Sequence, residues 1–385
     1  MSIVLFDTNR RSGLFPLTYT RALAGLRSGM YTNKERWEIV SGQPVFVHTE
    51  EYLQSLYAPV PAGEHLWIDA AAVADDVATA AILGLSTNQA IADENGLIAA
   101  RIEINADSFD PAGTFSQLKI TKNSSPFKRI EHPWQLMLWN DEMIRRDFSL
   151  ITKGRVSQPI PSSVNTISPE NIFIEEGAKL AFCTLNASSG PIYIGRNAEI
   201  MEGSVVRGPF ALGEHSVLKL NSRVYGATTL GPYCMGGGEI KNIVMMGHSN
   251  KAHDGYLGDS VVGEWCNFGA GSTCSNIKNT AGTVKIWDMH SKQYLSAGQK
   301  CGVIMGDYSR VAINSSINTG SVIGISSNVF GTGLLPTIID NFQWGVTGTG
   351  YEFDKALKDI DNWKRLKGQS LTNAETSVLQ YLFES

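Results

Sequence analysis

The residues best equipped for chemistry lie between His248 and Asn276, in "HSNKAHDGYLGDSVVGEWCNFGAGSTCSN". Two histidines, a lysine, a tyrosine and several asparagines are threaded through glycines and short apolar residues. The mixture is too polar for a core helix and too rich in imidazole for an ordinary loop. His253 is readable in three ways: general base, metal ligand, or polar residue on a surface turn. A histidine titrates near about pH 6.5 and so can take a proton at neutral pH. His248 and His253 also form an H-x4-H pair, and His215 stands thirty-three residues before His248. Three imidazoles would suit a zinc ion that activates water.

What holds this stretch is a change of period. Stepping by six from Ile194 gives Ile200, Val206, Leu212, Leu218, Val224 and Leu230, all aliphatic. Four residues after each hit come Ala198, Ser204, Phe210, Ser216, Ser222, Thr228 and Cys234, small in every case but Phe210. A second run reads Met305, Val311, Ile317, Ile323 and Val329, with serines at 309, 315, 321 and 327. Period six fits neither a helix nor a plain strand. It is the pattern of a hexapeptide β-helix, with the aliphatic residue pointing into a narrow prism and the small residue allowing the corner. Resemblance to hexapeptide-repeat proteins implies a left-handed parallel coil, usually a trimer with sites between neighbouring subunits. The repeat thins out between about 235 and 304, where loops leave the wall. The opening stretch falls in that break.

The first half has a different grammar. "SIVLF", "QPVFVH" and "EHLWIDA" are strand candidates, while "VADDVATAAILGL" and "PWQLMLWNDEMIRRDFSLI" have helical spacing. Strands alternating with helices predict an α/β layer fold. The expected organisation is an α/β domain over 1–150, a proline-bearing linker over 151–170, the β-helix over 171–350 and a helical tail over 351–385. "TNAE", Thr372 to Glu375, predicts a capping box in that tail.

Composition narrows the function classes. With 385 residues, 18% charged and 43% apolar, the chain fits an ordinary soluble globular protein. A net charge of −5 with no basic block argues against a nucleic-acid binder. No apolar run is long enough to span a bilayer, and the first residues lack the pattern of a signal peptide. Five cysteines with no CxxC pair predict reduced, buried thiols and a cytoplasmic location.

"KAHDGYLGD", "NFGAGSTCSN" and the surrounding hexads resemble the acetyltransferase domain of the bifunctional GlmU enzymes. The whole chain is similar to the GlmU-like proteins of Bacteroidetes, which have a shortened N-terminal domain. The resemblance implies acetyl transfer from acetyl-CoA to glucosamine 1-phosphate, or a related amino-sugar phosphate, on the β-helix. It implies uridylyl transfer on the N-terminal domain, and so UDP-N-acetylglucosamine synthesis. Carried over by position, the catalytic histidine falls on His253. Substrate-binding positions fall on Arg223, Lys241, Tyr256, Asn267 and Asn276, and a backbone contact near the acetyl group falls on Ala270. The family's K-A-G-H reads K-A-H here, so one glycine is absent and Lys251 is displaced by one position. The roles are chemically sensible: cationic and phenolic donors for a phosphate, asparagines for sugar hydroxyls or the amine, and backbone amides of "GAG" for the thioester oxygen.

"RRSGLFPLTYTRALAGLRSG" resembles the opening of sugar-phosphate nucleotidyltransferases, with Phe15-Pro16-Leu17-Thr18 on their x-P-L-T. Their glycine-rich phosphate loop is reduced to "DTNRRSG", in which only Gly13 remains. Arg10, Arg11, Gly13 and Arg21 are the expected nucleotide-binding positions, and Asp69 is the expected Mg²⁺ carboxylate because it ends a strand candidate. Two further readings stand beside this one. One is a γ-carbonic-anhydrase-like metal enzyme built on His215, His248 and His253. The other is a non-catalytic, trimeric scaffold that binds sugar nucleotides.

Overall fold

The computed structural model describes residues 2–114, 118–122 and 127–385. Ser2–Phe6 is apolar beyond its first residue and is buried on both faces, as suits a central strand of a covered sheet. It pairs in parallel with Val45–His48 on one side and Glu64–Asp69 on the other. The sheet continues through Gly96–Glu103, Gln89–Asp93 and Lys119–Lys122. Because the chain leaves Ser2–Phe6 to one side and returns on the other, a crevice forms at the carboxyl ends of these parallel strands. Asp7 and Asp69 stand at that edge.

The helices follow local signals. Thr32 and Glu35 form a capping box at the start of Asn33–Ser41, and Asp75 accepts from the Ala78 amide at the start of Asp76–Leu83. The expected helix after Pro133 is two pieces, Pro133–Leu138 and Asn140–Thr152, divided at Trp139. Asn140 explains the division: its side chain accepts from the Gly29 amide and donates to the Ala227 carbonyl, tying the joint to both halves of the molecule.

From Asn165 onward the chain winds into three long parallel sheets. Ile194, Leu212 and Leu230 are paired neighbours in one sheet, eighteen residues apart. Ile200 and Leu218 are neighbours in the second, and Val206 and Val224 in the third. Each hexad is therefore one side of a triangular rung, and its aliphatic residue is buried in the prism. The strand Asn165–Ile167 already belongs to the third sheet, within the stretch that the prolines mark as a linker. All five cysteines are buried and free.

The predicted break takes a definite form. After Leu230 the next rung places Met245 beside it, only fifteen residues on. Later, Val262 neighbours Met305, because an antiparallel hairpin, Val284–Asp288 with Gln293–Gly298, leaves the wall between them. The tail forms helices Phe353–Arg365 and Asn373–Glu384, the second with the predicted capping box. It packs along one corner of the coil, where Lys367 donates to the carbonyls of Tyr233 and His248.

Candidate functional site

Arg223, Lys241 and Tyr256 come from three adjacent strands of the third sheet. Arg223 neighbours Glu239, and Glu239 neighbours Tyr256; Tyr225 likewise neighbours Lys241. The residues between them, Val224, Ile240 and Leu257, fill the prism, so strand alternation turns the polar set outward. Lys241 lies 6.0 Å from the centre of the Tyr225 ring, and the Tyr225 hydroxyl donates to Glu239 at 2.6 Å. Asn276, two residues beyond the strand Thr273–Cys274, reaches this face and donates to the Tyr256 hydroxyl at 2.9 Å. Burial, reinforced by the Asp259 carboxylate, raises the Tyr256 phenol, so it stays a neutral hydroxyl.

Two residues beyond the expected set hold this face in order. Asp259, the acid of "YLGD", accepts from Asn242 at 2.7 Å and also from Asn276. Gly258 leaves room for the Tyr256 side chain: a Cβ there would stand 2.1 Å from its hydroxyl. The signal for Asp259 was present in the sequence, three residues after Tyr256.

His253 stands at the corner that leads into this sheet, three residues before Tyr256, and is exposed. It lines a groove of about 400 Å³ with Lys219, Leu220, Gly238, Asp254 and Ala270. His253 and Ala270 are thus brought together, as the resemblance implies. Asn267 is not with the others: it lies on the second sheet, between Asn250 and Arg310. A second cavity, of about 410 Å³, opens between the two halves beside Tyr31, Arg155, Glu175 and Tyr193, and holds none of the expected residues.

His215 and His248 are elsewhere. Both adopt positive φ in a column of corner residues, and their rings stack in the order His215, Tyr233, His248, Trp265, with centroids 4.8, 5.0 and 4.2 Å apart. Burial pushes the His248 imidazole down to about 4. The H-x4-H spacing therefore places its two histidines at different corners. Among the described residues, no three His, Cys, Asp or Glu side chains gather to hold a metal ion. This removes the geometric basis for a zinc site within the protomer.

The N-terminal charges are already engaged. Asp69 is fully buried; its carboxylate accepts from the Ala71 amide and lies 3.3 Å from Arg10 and 3.5 Å from Arg129. Two guanidinium groups occupy the space that a Mg²⁺ ion would need, so this carboxylate does not fit a magnesium site as it stands. Asp7, one residue beyond the first strand and outside the expected set, is pushed up to about 6 by burial. Arg11 donates to the Thr18 carbonyl and the Tyr52 hydroxyl. Arg21 crosses to the β-helix and pairs with Asp307 and Glu264. Gly13 lies in the 3-10 turn Asn9–Leu14, where a Cβ would come 3.1 Å from the Glu131 carbonyl. Arg10 remains partly exposed and bridges Asp69 and Glu131 at the crevice.

Comparison with known proteins agrees with this division. Residues 3–156 match the family described as sugar nucleotidyl transferase. The bifunctional sugar-1-phosphate nucleotidylyltransferase/acetyltransferase of Sulfurisphaera tokodaii is 35% identical over 92 residues, which cover 24% of this chain and 23% of that protein. Bifunctional protein GlmU of Methanocaldococcus jannaschii is 36% identical over 86 residues, covering 22% and 21%. Bifunctional protein GlmU of Synechococcus elongatus is 25% identical over 203 residues, covering 46% and 44%. The chain spans less than half the length of these relatives. Its class is a sugar nucleotidyl transferase-type α/β layer joined to a parallel β-helix. That pairing of parts is similar, over these partial lengths, to the bifunctional GlmU proteins. Among the described residues, no helix is long and apolar enough to cross a membrane.

Proposed function

We propose that the β-helix transfers an acetyl group from acetyl-CoA to the amine of glucosamine 1-phosphate or a closely related amino-sugar phosphate. His253 takes the proton that the amine must lose as it attacks the thioester. Arg223 and Lys241 bind the phosphate oxygens as cations, and the Tyr256 hydroxyl, set by Asn276 and Asp259, donates to the same group. Backbone amides near Ala270 receive the thioester oxygen as it gains charge. Asn267, on the second sheet and apart from these residues, contacts the sugar only as the contribution of a neighbouring copy. The observation that carries this reading is the convergence of His253 and Ala270 in one groove, at the corner leading into the face that bears Arg223, Lys241 and Tyr256.

The working form in this proposal is a cytoplasmic homotrimer. Its support is a row of exposed apolar side chains at the His253 corner. Phe182, Leu220 and Ile313 are 70%, 57% and 67% exposed. Each follows an inward residue of the second sheet by two positions, as His253 follows Lys251. A second copy laid along this corner would bury that row and close the groove.

For the N-terminal domain we propose uridylyl transfer to the sugar 1-phosphate at the crevice beside Asp7 and Asp69. Arg10, the exposed member of the arginine set, meets the nucleotide phosphates, while Arg11, Gly13 and Arg21 shape the loop that carries it. No step is assigned to a metal ion.

The test is an acetyl-CoA-dependent assay with glucosamine 1-phosphate on wild type and His253→Ala. Turnover by wild type that vanishes in the variant supports the proposal. No turnover across several amino-sugar phosphates removes it and leaves the sugar-nucleotide-binding scaffold. Release of pyrophosphate from UTP, lost in Arg10→Ala, tests the N-terminal half separately.

A further inference from the structure

Lys251 occupies a position where no lysine is expected. In the second sheet the inward residues stack as Leu180, Ile200, Leu218, Gly236, Lys251, Phe268, Val311 and Val329. Lys251 is 1% exposed, inside the prism. Gly236 below it contributes no side chain, and Leu218, Leu230 and Ile240 close over that position: a Cβ there would stand 2.6 Å from Leu230. A buried ammonium costs several kcal/mol of desolvation unless every proton is matched, and an apolar residue of similar length would be cheaper here. Burial pushes this lysine down to about 8, which registers that cost.

All three protons are matched, and the partners identify what the cation does. Nζ donates to the carbonyls of His253 at 2.5 Å, Gly237 at 3.3 Å and Asp254 at 3.3 Å. Two of the three acceptors belong to the loop that carries His253. The third belongs to the rung below, against which that loop is pressed. A Cβ at Gly237 would stand 2.2 Å from the Ala252 carbonyl, and one at Gly238 would stand 2.8 Å from the His253 carbonyl. The short corner is the one below, where only Gly237 and Gly238 join Met235–Gly236 to Glu239–Lys241, and it draws that backbone in against residues 252–255, which lead from Lys251 to the strand Tyr256–Gly258. The His253 and Gly237 carbonyls are gathered on one cation, together with the Asp254 carbonyl, which also accepts from the Gly271 amide.

We infer that Lys251 is the positioning residue of the His253 base: from inside the coil it fixes the His253 and Asp254 carbonyls and so sets where the imidazole stands in the groove. This rests on the acetyl-transfer reading.

The test is Lys251→Met, with His253→Ala and the double variant, in the full chain. Methionine suits the apolar column but leaves these carbonyls without their donor, so the variant is expected to fold with a lowered Tm at neutral pH. The amides of 252–255 are expected to exchange with solvent about tenfold faster or more. Acetylation kcat should fall by about 100-fold, as for a reacting group displaced by about an ångström, with KM for the sugar phosphate within about twofold. Combined with His253→Ala, the substitution should cost nothing further, because both act through one imidazole. Unchanged exchange, an unchanged kcat, or losses that multiply in the double variant overturn the inference. An inactive wild type instead removes the acetyl-transfer reading, and the exchange measurement then decides the role of Lys251 alone. Should Lys251→Met fail to fold, Lys251→Gln, which keeps an amide donor, is measured in its place with the same expectations at reduced size.

Discussion

The two corners of the β-helix that carry His248 and His253 lie five residues apart in sequence and differ in nearly everything else. The His248 corner is covered. Arg21 of the α/β domain pairs there with Glu264 and Asp307, and Lys367 of the tail donates to the carbonyls of Tyr233 and His248 and to the Asn250 side chain. Lys364 stands 5.1 Å from the Trp265 ring that ends the aromatic stack. The His253 corner has no such cover: its imidazole is exposed in a groove, above a cation that holds its loop from within. In a coil of this kind, the column a residue occupies decides its role, and sequence neighbours can serve opposite ends. One corner is where the chain fastens itself together; among the described residues, the other is left open.

The sharpest way to break this comparison is to exchange the fates of the two histidines. His253→Ala is expected to lower acetyl transfer by about 10²–10⁴-fold, the ordinary contribution of a positioned base. His248→Phe, which preserves the stack, should leave kcat within about twofold. Equal losses from both, measured at saturating acetyl-CoA, would refute the division of labour between the corners.

The fastening role predicts stability losses rather than rate losses. Arg21→Met strands the buried carboxylate of Asp307 without its guanidinium, and breaking such a pair by removing one partner costs about 3–5 kcal/mol. A urea titration of the full chain should show the loss. A midpoint unmoved by the substitution would mean that the two halves are not joined through this pair. Lys367→Met removes three hydrogen bonds from a charged donor to the same corner, and about 1–3 kcal/mol is expected. The tail helices should then become more accessible to protease, with kcat unchanged.

The coil itself was legible because a hexad pattern is a direct record of geometry: one inward aliphatic residue per side, repeated. Ile194 to Leu230 sit where the period puts them, in three sheets by turns. The site was legible only in part. Arg223, Lys241 and Tyr256 share a face because their separations bring them into register, which a sequence motif preserves. Asn267 has an equally good motif match, yet stands on another sheet, since a motif does not say which side of a rung a residue occupies. Asp259 and Lys251 stand in the same motif, but what they do is not legible there: their work is done on buried amide groups and carbonyls, which no spacing records. In the N-terminal domain the arginines were visible, but not their partners. Arg21 is twenty-one residues into the chain and its acid is Asp307. Nothing short of the fold joins positions so far apart.

The smallest expected effect is a pH dependence, and it distinguishes the corners without any assay of catalysis. His248 has its imidazole held down to about 4 by burial within the stack, against about 6.5 in the unfolded chain. Between those values the unfolded state binds the extra proton and the folded state does not. Stability contributed by the neutral ring is therefore complete above about pH 6.5 and is lost as pH falls toward 4. The ring edge is partly open to solvent, so the loss is on the order of 1 kcal/mol. His248→Phe should flatten the acid limb of a Tm-against-pH curve over that window. An acid limb unchanged by His248→Phe would show that the stacked imidazole titrates as freely as an exposed one, and the covered corner would lose its distinction from the open one.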